Sequence, residues 1–134
     1  MTGRILLVEA DVVLGAVLAE VLRNNGYEVS VVTTLEREID RVQSLNAMIL
    51  DIDTTPTEDV LAWLDRLEPY DESLPIVLIG LQVPHELRDR LPLRLDHQQF
   101  NALPLVQKPF RNEELLAAVR RVQERSVPNQ VDGI

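Results

Sequence analysis

Five short apolar runs spaced along the chain constrain its fold more than any other feature. They are Arg4 to Val8 (RILLV), Tyr27 to Val32 (YEVSVV), Ala47 to Leu50 (AMIL), Pro75 to Ile79 (PIVLI) and Leu103 to Val106 (LPLV). Most lack polar alternation, the mark of strands covered on both faces, and the segments between them carry helix signals. After the first run, Asp11 is placed to cap a helix over Val12 to Asn25, with apolar residues at Val13, Leu14, Val17, Leu18, Val21 and Leu22. Asn25-Gly26 reads as its C-terminal stop. Thr33 with Glu36 is a capping-box spacing that opens a helix to about Ser44, and Pro56-Thr57 opens another to about Leu67. The last helix is expected over Asn112 to Arg125. Between runs four and five, Pro84 can start a helix through Leu91 that Pro92 should end. Strand and helix thus alternate five times, which predicts an α/β chain with a five-stranded parallel sheet and helices on both faces.

Composition narrows the class. A chain of 134 residues, 46% hydrophobic and 26% charged, suits one domain with its own core. We expect that domain over residues 1–125, and residues 126–134 (SVPNQVDGI) as a disordered tail or linker. With no cysteine, disulfide scaffolds, thiolate metal sites and thiol nucleophiles are excluded. The longest apolar runs are too short for a membrane span or signal peptide, so a cytoplasmic location with no membrane partner is expected. The formal charge of −9 disfavours direct nucleic-acid binding. That charge is uneven: residues 1–72 hold 15 acids and 5 bases, residues 73–134 hold 7 acids and 8 bases. Lys108 is the single lysine among 13 basic residues, which otherwise follow an arginine-rich usage.

In open parallel sheets ligands bind beyond the carboxyl ends of the strands, so the residues just past each run matter most. Past run one come Glu9, Ala10 and Asp11; past run three, Asp51 and Asp53; past run four, Gly80; past run five, Lys108. Carboxylates gathered at one edge repel unless a cation lies among them, and oxygen donors suit a hard ion such as Mg²⁺. Asp51 at the end of a rigid strand could then serve as a nucleophile toward phosphorus, with Lys108 neutralising phosphoryl oxygens. The bland reading of Glu9 and Asp11 is helix capping, and that of Trp63 is packing. The two histidines have no ligand spacing.

Five motifs together, Ile5-Leu6-Leu7-Val8-Glu9-Ala10-Asp11, Ala47-Met48-Ile49-Leu50-Asp51, Pro56 with Asp59, Pro75 to Ile79, and Lys108-Pro109-Phe110, resemble the receiver (CheY-like) domain of two-component response regulators over about residues 3–125. The resemblance implies a flavodoxin-like, doubly wound (βα)5 sheet in a three-layer α/β/α sandwich. It also implies Asp51 as phosphoacceptor and Lys108 as the phosphate contact, joined to Pro109 by a cis bond. Mg²⁺ would be held by Glu9, Asp11, Asp51 and the backbone carbonyl of Asp53. Gly80 stands at the switch-hydroxyl position, Leu105 where an aromatic is expected, and Ala10 where the direct acidic metal ligand is expected. The loop from Asp51 to Pro56 is one residue longer than usual, and Val60 replaces a common glycine. These departures imply weak or absent Mg²⁺ binding and a degenerate receiver that acts as a regulatory protein-interaction module.

Residues 70–80 add a weaker likeness to the divergent receivers at the N-terminus of σ54-dependent flagellar activators. Basic stretches Arg88 to Arg94 and Arg120 to Arg125 would present a face for a homodimer or for an output domain of a longer protein. One alternative is a working receiver phosphorylated on Asp51 by a histidine kinase with Mg²⁺. A second is a small haloacid-dehalogenase-like phosphatase, from Asp51-Ile52-Asp53-Thr54-Thr55, though a Ser or Thr would be needed where Gly80 stands. A flavin carrier is disfavoured, because acids follow the first strand where a phosphate loop would need hydroxyls and glycine.

Overall fold

A computed structural model describes residues 3–35, 45–67, 75–87 and 104–125. The elements are β1 (Arg4–Val8), α1 (Val12–Asn24), β2 (Glu28–Val32), β3 (Ala47–Asp51), α2 (Thr57–Leu67), β4 (Ile76–Gly80), β5 (Leu105–Gln107) and α3 (Asn112–Arg125). The expected helix of residues 36–44, the basic stretch 88–94 and the tail 126–134 lie outside the described residues. Of the helix expected from Pro84 to Leu91, residues 85–87 are described, and they are helical.

The strands form one parallel sheet in the order β2-β1-β3-β4-β5. All five residues of β3 and of β4 are buried, as the unbroken apolar runs require of central strands. The pleat divides them between two cores. Ile5, Leu7, Ile49, Val77, Ile79 and Val106 pack against Leu18 and Leu22 of α1 and Leu115 and Val119 of α3. On the other face, Leu6, Val8, Met48, Leu50, Ile76 and Leu78 pack against Val60 and Trp63 of α2 and against Leu35 and Leu87. Each such side chain removed from water contributes roughly 1.5–3 kcal/mol before entropy is counted, so the layered sandwich follows from the apolar pattern. Trp63 is 2% exposed, and its Nε1 has no acceptor among the described residues.

Helix α1 starts where Asp11 accepts a hydrogen bond from the Leu14 N–H at 3.0 Å, and it stops at Asn25 and Gly26, whose φ of +95° favours glycine. The turn that follows is tied across the molecule by Tyr27 Oη, which donates to Gln123 Oε1 of α3 at 3.1 Å.

Register fixes where the strand ends fall. Val8 pairs with Leu50, Leu50 with Leu78, and Leu78 with Leu105, so the four strands end nearly level. The order reverses between β1 and β3, which opens the crevice at the carboxyl ends of those two strands.

Candidate functional site

Because Val8 pairs with Leu50, the next residues along, Glu9 and Asp51, stand side by side at the crevice. Glu9 is held by its backbone N–H donating to Val32 O at 2.9 Å. Asp51 closes β3, and the chain turns at once, with the Asp53 and Thr54 N–H groups donating to Asp51 Oδ1 at 2.8 and 3.3 Å. Both carboxyl residues are completely buried. Lys108 follows β5, and its backbone N–H donates to Gly80 O at 2.9 Å, aligning it with the end of β4. The Lys108–Pro109 bond is cis. Lys108 Nζ lies 2.7 Å from Asp51 Oδ2 and 3.3 Å from Asp53 Oδ2.

Two buried carboxyls and one ammonium do not balance, and the proton inventory shows it. Burial, helped by the neighbouring Asp51, pushes the Glu9 carboxyl up to about 7. Burial also tends to raise Asp51, but its hydrogen bonds with Glu9 and Lys108 outweigh that and hold it below the ordinary carboxylate value. Lys108 is held above the usual lysine value: burial lowers it, and its hydrogen bonds and ion pairs with Asp51 and Asp53 more than offset the loss. Glu9 Oε2 accepts from Thr54 Oγ1 at 3.0 Å and from the Asp11 N–H at 3.1 Å, whereas Oε1 is buried with no donor among the described residues. A buried oxygen without a donor favours the neutral carboxyl, the same direction as the upward shift.

Of the residues singled out in sequence, the structure brings Glu9, Asp51, Asp53 and Lys108 together and sets Gly80 against Asp53. Asp11 is exposed and spends its carboxylate on the α1 cap. Thr54 carries a role that sequence reasoning did not assign, because its hydroxyl bridges Glu9 Oε2 and, at 3.5 Å, the Ala10 N–H. The available signal was its place three residues after Asp51. Leu105 is half-buried beside Leu78, on the α2 face of the sheet.

The resemblance implies Mg²⁺ at this position, and the donor set suits that ion poorly. Glu9 and Asp51 are the only buried carboxyls among the described residues, and no group of three or more His, Asp or Glu side chains there could hold a metal. Ala10 offers a methyl group, Asp11 is turned to the helix, and Lys108 already neutralises Asp51. The side chains fit a divalent ion poorly.

No protein-family model matches the chain. In sequence it is similar to response regulator MprA of Mycolicibacterium vanbaalenii, 30% identical over 135 residues that cover 99% of this chain and 55% of that protein. It is also similar to the uncharacterized transcriptional regulatory protein YkoG of Bacillus subtilis, 30% identical over 120 residues, covering 88% of this chain and 50% of that protein. The chain spans about half the length of the curated relatives it matches. Among solved structures it superposes on a CheY-like receiver domain protein from Methanospirillum hungatei with a TM-score of 0.73 at 17% identity, covering 96% of this chain and 99% of that one. NtrX from Brucella abortus gives 0.70 at 21% identity, over 99% of this chain and 29% of that one. At such identities the structural likeness speaks for the fold.

Proposed function

We propose that this chain, a response-regulator receiver domain in fold and in sequence likeness, is a degenerate receiver: a cytoplasmic regulatory module of two-component signalling that works through protein contacts without needing a phosphoryl group. One observation carries the reading. Where a third acid would have to join Glu9 and Asp51 around a cation there is Ala10, and the Asp51 carboxylate is neutralised by Lys108 at 2.7 Å instead. An ammonium ion in that place stabilises the anion in a geometry that leaves it a poor nucleophile, since its lone pairs are engaged and no cation is placed to collect charge from a donor phosphate.

Several features support contacts as the output. Arg120 and Arg121 are exposed on α3, opposite in sign to the acidic first half of the chain, which suits a homodimer or a neighbouring output domain. The relatives are about twice as long, so an attached output domain is part of the proposal.

The test is incubation with Mg²⁺ and acetyl phosphate followed by intact-mass measurement. The degenerate reading expects no adduct and no rise in Tm with Mg²⁺. A phosphoryl adduct that disappears in Asp51→Asn would replace it with the working receiver, and a histidine kinase would then be the partner to seek.

A further inference from the structure

Asp53 is two residues beyond the carboxylate usually considered in such a site, yet its side chain makes the more unusual contacts. Its Oδ2 lies 3.3 Å from Lys108 Nζ. Its two oxygens, Oδ1 and Oδ2, also face the backbone N–H of Leu81 at 3.1 and 3.0 Å. Leu81 follows the last residue of β4, and Lys108 follows the last residue of β5, so the two donors converge from neighbouring strand ends. An ammonium and a backbone N–H aimed at one point make a small oxyanion site. In this molecule a carboxylate of the same chain fills it.

Gly80 makes the room. A Cβ at that position would come within 3.0 Å of Asp53 Oδ1 and 2.7 Å of Ile52 Cγ1. A side chain there would have to move Ile52, or expel the Asp53 carboxylate from its place. The glycine and the aspartate are therefore a matched pair, each allowing the other.

We propose that Asp53 is a resident anion: its carboxylate occupies the oxyanion pocket between Lys108 and the Leu81 N–H, so that the domain holds its own pocket filled and excludes phosphate from it. This deepens the degenerate-receiver reading and rests on it, because it treats that pocket as the place where a phosphoryl group would otherwise be held. Tethered by the short turn from Asp51, the carboxylate competes with any dissolved anion at a high effective concentration. Its negative charge also adds to the repulsion an incoming phosphate meets from Asp51.

Two measurements on the folded domain decide the proposal. In the wild type, NMR should detect scalar coupling across the hydrogen bond from the Leu81 amide to the Asp53 carboxyl carbon, and Gly80→Ala should abolish it. Then inorganic phosphate is titrated into Asp51→Asn and into Asp51→Asn/Asp53→Ala, following the Leu81 amide; the neighbouring carboxylate is absent from both, so it cannot mask binding. The doubly substituted domain should bind phosphate about tenfold more tightly, a difference of about 1.4 kcal/mol. Equal affinity in the two variants, or no Leu81–Asp53 coupling in the wild type, overturns the proposal. Should the double variant fail to fold, the wild-type coupling and its response to Gly80→Ala still decide. Adduct formation on Asp51 with the coupling intact would sink the degenerate reading alone, whereas loss of the coupling without an adduct sinks only the resident anion.

Discussion

The two halves of the strand-end crevice solve the same problem in opposite ways. On the β1–β3 side Glu9 is fully buried beside Asp51 with no ion pair of its own among the described residues, and its carboxyl is pushed up to about 7, toward the neutral form. On the β4–β5 side one cation, Lys108, is shared between two anions, and a glycine opens the space for the second. The first half lowers its excess negative charge by protonation and the second by ion pairing. The contrast teaches that a site short of one acid need not collapse. It can keep its remaining acids by supplying protons and internal counter-ions in place of a metal.

Breaking the ion-paired half should do the most damage. Lys108→Ala leaves the buried Asp51 carboxylate uncompensated and is expected to cost about 3 kcal/mol of unfolding free energy at neutral pH, read by urea denaturation. A loss below about 1 kcal/mol would mean the pair is no better than a surface contact.

The protonated half should appear as a slope of stability against pH. The Glu9 carboxyl sits at about 7 in the folded chain against an ordinary 4.5, so the folded state binds its proton more tightly. The stabilisation linked to it is complete below about 4.5 and is lost as pH rises through about 7, a fall of at most about 3 kcal/mol. Asp51 acts in the opposite sense, since its depressed carboxyl favours folding above its ordinary value and loses that contribution in acid. Glu9→Gln keeps a donor toward Asp51 without a titrating proton. It should flatten the neutral limb of the urea-midpoint profile, and an unchanged slope would remove Glu9 as its source.

The smallest effect is expected where a sequence candidate stands outside both halves. Asp11→Ala should cost about 1 kcal/mol through loss of the α1 cap and leave the Lys108 resonances in place. A shift of those resonances would bring Asp11 back into the site.

Much of this arrangement is legible in the chain. Runs such as RILLV and PIVLI have no polar alternation, which gives them to a sheet covered on both faces, and the residue after each run is set at the strand end by chain continuity alone. Asp51, Glu9 and Lys108 could be picked out on that ground. Their partners could not. Thr54 and the Leu81 N–H gain their roles from strands and turns distant in sequence, and Gly80 reads as a missing hydroxyl until its closeness to Asp53 is seen.

The sequence by itself therefore determined the strands, most of the helices and the set of side chains offered to the crevice, because periodicity and capping are local properties of a few successive residues. Only the tertiary structure decided that the Glu9 carboxyl is buried beside Asp51 and pushed up, and that Asp53 turns onto Lys108 and the Leu81 N–H. Those outcomes depend on distances between groups brought together by parallel pairing. The dry interior then makes each of those distances count, since a buried charge must find a proton or a counter-ion within a few ångströms.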